Sequence, residues 1–157
     1  MATQTPTTPV RAVLRNAANV VLSNTAFTSV FANKPVAAIT YEIEANLLVS
    51  IGAAAAVSLI LQLTGPAAGA ETNVKWRASY EAGTGESVFA GHSIGSLASV
   101  TLPAGATFPA NAVVHVWLAA HVVFTATGNA NLQAELSVAS ATSQVSLGST
   151  IKFIPVG

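Results

Sequence analysis

Residues 113–124 read VVHVWLAAHVVF, and apolar side chains recur at every second position of this stretch. The recurring face consists of Val114, Val116, Leu118, Ala120, Val122 and Phe124. His115, Trp117 and His121 fall on the other face. A period of two places successive side chains on opposite sides of an extended chain, so this stretch predicts a long β-strand with one buried face.

The same period recurs along the chain. It is present in residues 42–51, 57–64, 74–81 and 132–138. The last such segment has the apolar positions Val145, Leu147, Ile151 and Phe153. No segment has a helical apolar stripe a dozen residues long, which favours an all-β chain.

The segments between these strands have turn composition. TGPAAGAETN, EAGTGES, LPAGATFPAN and TGNAN are rich in Gly, Pro and Asn, which permit or fix the backbone angles of tight turns. Eight to ten strands with frequent turns predict an antiparallel sandwich or barrel, and a jelly-roll-like β-sandwich is the fold that we expect. Residues 10–157 would form this one domain. Residues 1–9, rich in Thr and Pro, would form a flexible arm.

The composition restricts the classes of partner. Only 8% of the 157 residues are charged and the formal net charge is zero, against about 25% charged residues in a typical domain. We therefore expect no nucleic-acid or acidic-membrane partner. The chain has no cysteine, so a disulfide framework and thiolate chemistry are excluded. Such a charge-poor surface favours an assembly that covers part of it, although a surface of Ser, Thr, Asn, Gln and Ala is the alternative.

An uncharged stretch from Asn46 to Ala70 is long enough to raise the possibility of a membrane span. Glutamates flank it, no Lys or Arg cluster stands nearby, and its apolar residues have the period of strands. We therefore predict no membrane partner. The N-terminus has no charged region followed by an apolar run, so no secretory signal is expected.

Residues 91–95, GHSIG, match the nucleophile elbow of many esterases, with Ser93 as the nucleophile. That elbow requires a strand, a sharp turn and then a helix, whereas SLASVTLP follows here and is typical of a strand. In that fold an acid and then a histidine follow the serine, but no histidine follows Glu135. We predict that the protein is not an enzyme and that Gly91 and Gly95 shape a loop.

Other candidate sites are sparse. His115 and His121 share a strand face, but six residues of strand separate them by ~20 Å, too far to bind one metal within a chain. Glu42 and Glu44 lie about 6–7 Å apart, a spacing that suits glycoside hydrolysis but also an ordinary solvated face. We expect no metal or cofactor.

Two aromatic residues and two arginines complete the candidates. Trp76 and Tyr80 fall on one face of a strand and would form either a sugar-stacking platform or part of the core. Arg11 and Arg15 follow the N-terminal arm, where they would pair with a partner's acidic groups or stay solvated. The residues that we predict at a subunit or capsid interface are Arg11, Arg15, His115, Trp117 and His121.

The C-terminal half resembles the jelly-roll virion proteins of tailed bacteriophages, such as head-decoration (cement) proteins and spike domains. In these proteins a turn such as PAGATFPAN leads into a long strand, and a turn such as TGNA leads into a strand such as NLQAELSV. VVLSNTAFTSVFA resembles their first strand. The resemblance covers about residues 10–155, and the chain departs from it in having fewer charges than an exposed virion protein should.

This resemblance implies a structural protein of the virion surface, made in the host cytoplasm. It would decorate and stabilise a capsid by binding the major capsid protein, as a homotrimer. A spike or tail-fibre domain that binds a host glycan or receptor is the alternative, with Trp76, Tyr80 or Trp117 as its aromatic platform.

Overall fold

The structure is a computed structural model. It describes residues 12–23, 25–52, 57–67, 71–82, 87–90, 99–102 and 107–156. For residues 12–14, 71–77, 81–82 and 87–90 it describes the backbone path and pairing. The predicted arm of residues 1–9, together with Arg11, Gly91, Ser93 and Gly95, lies outside the described residues.

The described residues form twelve β-strands and no helix. These are β1 (Ala12–Arg15), β2 (Val20–Val21), β3 (Thr28–Val36), β4 (Thr40–Ser50), β5 (Leu59–Thr64), β6 (Glu71–Ala82), β7 (Ser87–Ala90), β8 (Ser99–Leu102), β9 (Val113–Phe124), β10 (Gly128–Leu136), β11 (Gln144–Val145) and β12 (Thr150–Val156). All of their pairings are antiparallel. No helix long and apolar enough to cross a membrane occurs in this part of the chain.

The strands form two sheets. The larger sheet has the order β1-β12-β4-β9-β6-β7, with β11 paired to both β2 and β4. The smaller sheet has the order β3-β10-β5-β8. Between successive strands the chain passes from one sheet to the other at every step except β1 to β2, β6 to β7 and β11 to β12. Strands β6 and β7, inserted between the paired strands β5 and β8, extend the larger sheet beyond β9.

The alternating residues produce the core directly. In β4 the positions from Tyr41 to Val49 alternate between buried and exposed, and in β9 every second residue from Val114 to Phe124 is buried. The two strands pair in full register, with Ala45 opposite Leu118. Their inward side chains join those of β5 and β10 in one hydrophobic cluster. The predicted antiparallel β-sandwich is thereby confirmed, with twelve strands in place of eight to ten because two are only two residues long.

The first and last extended segments of the chain, β1–β2 and β11–β12, are each interrupted once, and the two interruptions lie side by side. Residues 16–19 separate β1 from β2, and residues 146–149 separate β11 from β12. Two backbone hydrogen bonds join these two segments. The Asn16 N–H donates to the Ser149 carbonyl at 3.0 Å, and the Gly148 N–H donates to the Asn16 carbonyl at 3.2 Å. The sequence pattern grouped Leu147 with the apolar strand positions, but it lies in this turn and is 60% exposed.

Candidate functional site on the larger sheet

The outer face of the larger sheet carries most of the residues that the sequence indicated. The outward positions of β9 are Val113, His115, Trp117, Ala119, His121 and Val123. Each has a direct neighbour on β4, with Leu48 opposite His115, Asn46 opposite Trp117 and Glu42 opposite His121. The strand period thus brings the two histidines and the tryptophan onto one face, as predicted.

Trp117 borders a shallow depression near the centre of this face. The depression has a volume of about 230 Å³, and Glu44, Asn46, Ser79 and Ala119 also line it. In the sheet, Asn46 and Ser79 are the residues directly opposite Trp117 on the two neighbouring strands. Directly opposed residues have Cβ atoms about 5 Å apart, so both polar side chains stand beside the indole.

Exposed apolar side chains gather at one end of the same sheet. We name Val21, Leu48, Val113 and Leu147 the apolar band; their exposed fractions are 50%, 37%, 51% and 60%. Val21 and Val113 lie on one row across the sheet, through Gln144 and Ser50. Leu48 lies two residues before Ser50 on β4, and its carbonyl accepts a hydrogen bond from the N–H of Ser146, the residue before Leu147.

The band contains most of the large hydrophobic residues exposed in the described part of the chain. Only Val138 and Val156 are also exposed there. Single exposed hydrophobic residues are ordinary, whereas several at one end of a sheet make that end a candidate interaction surface.

The histidines do not form a metal site with other described residues. The ring of His115 packs against that of Trp117, with centroids 4.8 Å apart and planes inclined at 44°. His121 lies six residues further along the strand, opposite Glu42. No group of three His, Cys, Asp or Glu side chains among the described residues is placed to hold a metal ion.

The two glutamates have the surroundings of a solvated strand face. Glu42 and Glu44 are both exposed on β4. The Glu44 carboxylate accepts a hydrogen bond from Lys152 Nζ at 3.2 Å, and the two side chains are 52% and 31% exposed. An exposed pair of this kind contributes about 0–1 kcal/mol to stability.

The structure decides between the core role and the sugar-stacking role of Tyr80. Tyr80 is buried, and its ring packs edge-on against Phe108 at a centroid distance of 5.1 Å. It therefore belongs to the core, and a sugar-stacking role for Tyr80 is wrong. The backbone of Trp76 pairs with Ala120, while its side chain lies outside the described part.

Of the two arginines predicted at the interface, Arg15 lies among the described residues. Arg15 is exposed at the end of β1, an edge strand, and pairs with Thr150. It lies on the same row as Asn46 and Trp117, two strands away from Asn46. Its proposed pairing with a partner stays a prediction.

Leu48 and Val113 were not among the residues that the sequence pattern indicated. The sequence feature that could have indicated them is a run of successive apolar residues. In LLVSI and AVVHV, two or three successive apolar residues cannot all face inward on a strand, so at least one must face outward. Comparison of the chain with protein-family models, with curated proteins and with solved structures found no match in any of the three.

Proposed function

We propose that the protein is a structural virion protein that decorates and stabilises a bacteriophage capsid. It self-associates, as a homotrimer, and binds the major capsid protein at the virion surface without catalysing a reaction. The proposal combines the resemblance of residues 10–155 with the apolar band on the larger sheet, and the band is the observation that carries it.

The strand order supports the fold part of this proposal. A jelly roll is a double-sheet arrangement of eight strands made from two Greek keys. Without the inserted β6 and β7 and the two-residue strands, β1-β12-β4-β9 faces β3-β10-β5-β8. In that order each sheet has four strands, and of the connections between them only the one from β5 to β8 stays within a sheet. We propose that this is a jelly-roll arrangement.

The band supports the interface part. Burying its four side chains against another molecule would contribute about 25 cal/mol per Å² of apolar surface removed from water. The direct neighbours of Val21, Leu48 and Val113 in the described pairings are Gln144, His115 and Ser50, none of which is Lys, Arg, Asp or Glu. The low charged fraction of the sequence, 8%, is consistent with the same covered state.

The interface is tested by placing a charge inside the band. Leu48→Glu and Val113→Glu change exposed positions, so the fold should tolerate them, but each would bury a carboxylate in the assembled form. We expect association to weaken about tenfold or more in each variant. The measurement is sedimentation velocity over a concentration series.

Val138→Glu and Val156→Glu are the matched controls, because both change an exposed valine to the same charged residue outside the band. They should associate like the unaltered protein. Equal association of all four variants, each with a native far-ultraviolet circular dichroism spectrum, would show that the band is not the interface.

A further inference from the structure

We propose that the depression at Trp117 is a binding site for a neutral sugar ring. The ring would lie against the indole, and its hydroxyl groups would bond to Asn46, Glu44 and Ser79. This is a binding activity separate from self-association, because the site is centred on the Asn46–Trp117 row and not on the apolar band.

Trp117 is placed where a ligand ring can reach its indole. Trp117 is half-buried on the solvent side of β9, a central strand of the sheet. The residues on either side of it in the strand point inward and are buried. His115 packs against it on one side, which restricts the orientation of the indole. A fixed, partly exposed aromatic face offers apolar contact area at low entropic cost.

Polar residues around the indole can hydrogen-bond to the hydroxyl groups of a sugar. Asn46 offers both a carbonyl acceptor and an amide donor, Ser79 a hydroxyl that does both, and Glu44 an acceptor. They flank the tryptophan from the strands on both sides. A sugar ring presents apolar C–H groups on its face and hydroxyl groups around its rim, which matches an aromatic surface bordered by donors and acceptors.

The size and charge of the site define the ligand class. Its volume of about 230 Å³ is below the roughly 300–1,000 Å³ of sites for drug-sized ligands, which suits a single ring. Among the described lining residues the charged one is Glu44, whose carboxylate is paired with Lys152 Nζ at 3.2 Å. The pair offers no net positive charge to an acidic sugar, so a neutral sugar is the class that we propose. A small ligand in a shallow, open site should bind with a dissociation constant on the order of millimolar.

Tryptophan fluorescence reports on the site directly. The chain has two tryptophans, so Trp76→Phe leaves Trp117 as the only one. We would titrate this variant with methyl β-glucoside, methyl β-galactoside and methyl β-N-acetylglucosaminide up to tens of millimolar, using sorbitol as a polyol without a ring. We expect a saturable change in Trp117 emission with at least one glycoside and none with sorbitol.

Two further variants test the polar residues in the same Trp76→Phe background. Asn46→Ala and Glu44→Gln should each weaken the responding glycoside by about two- to tenfold, the range expected for one hydrogen bond. Asn129→Ala, an exposed asparagine on the smaller sheet, is the matched control and should bind like the parent. Methyl β-glucuronide should bind no more tightly than methyl β-glucoside, because the Glu44–Lys152 pair offers no net positive charge to its carboxylate.

Three results would overturn the inference. They are a linear or absent fluorescence response to every glycoside, an equal response to sorbitol, and unchanged binding in both Asn46→Ala and Glu44→Gln. None of them bears on self-association, which is read from native mass and from the band variants. Conversely, a monomeric protein that binds a glycoside at Trp117 would contradict the proposed assembly and support this site.

Discussion

Gly52 donates its backbone N–H to Ser143 Oγ at 2.8 Å and so joins two connections that are 91 residues apart in the chain. Ser143 also donates its hydroxyl to Ser140 Oγ at 2.8 Å, and its carbonyl accepts the Leu22 N–H. Three connections at one end of the sandwich are therefore held by a single buried serine. The apolar band lies at this end, so its geometry depends on these bonds.

Ser143→Ala should destabilise the protein by about 1–3 kcal/mol, because the buried Gly52 N–H would lose its acceptor. Urea unfolding followed by circular dichroism measures the change. Ser23→Ala, at an exposed position, should stay within about 0.5 kcal/mol of the unaltered protein. Equal midpoints for the two variants would contradict the role given to Ser143.

Gly52→Ala should also destabilise the protein, by about 1–3 kcal/mol, because the added methyl group would collide with Thr142 Oγ1 and Ser140 Oγ. Thr142→Ala removes the first of these atoms. The double variant should recover part of the loss, and a double-mutant cycle would measure the coupling. Strictly additive effects would show that the space around Gly52 is not limiting.

Tyr41→Phe should cost about 0.5–1.5 kcal/mol. The Tyr41 hydroxyl accepts the Ala37 N–H at 3.0 Å at the corner between β3 and β4. The phenylalanine would keep the edge-on ring contacts with Phe124 and Phe153, so the change isolates the hydrogen bond. An unaltered urea midpoint would mean that water replaces the hydroxyl without loss.

Asn131→Ala should destabilise the smaller sheet by about 1–2 kcal/mol. Asn131 Oδ1 accepts the N–H of Asn33, which has a left-handed backbone with φ of 56°, and Asn131 Nδ2 donates to Thr64 Oγ1 at 3.2 Å. Asn131→Asp keeps the acceptor for Asn33 and should lose less stability than the alanine variant. A larger loss in the aspartate variant would contradict this assignment.

The β-sandwich could be predicted from the sequence, because apolar residues at every second position give each strand one buried face. It also placed His115, Trp117 and His121 on one face of the sheet, since they occupy alternate positions of one strand. It did not predict the serine bonds around Gly52, because they join residues distant in the chain through loops without a period. Leu147 was misplaced for a related reason: its apolar character matched the pattern, but residues 146–149 leave the strand.

The depression at Trp117 required the register between strands. Only the pairing of Asn46 and Ser79 with Trp117 reveals that polar side chains flank the indole from both sides. Strand order and register depend on contacts between distant segments, which a local pattern does not encode.

The native mass of the unaltered protein over a dilution series tests the proposed assembly most directly. We predict one species at three times the 15.8 kDa chain mass that persists on dilution, since an interface built on the apolar band would remain closed. A single species of 15.8 kDa at every concentration would contradict self-association through the band.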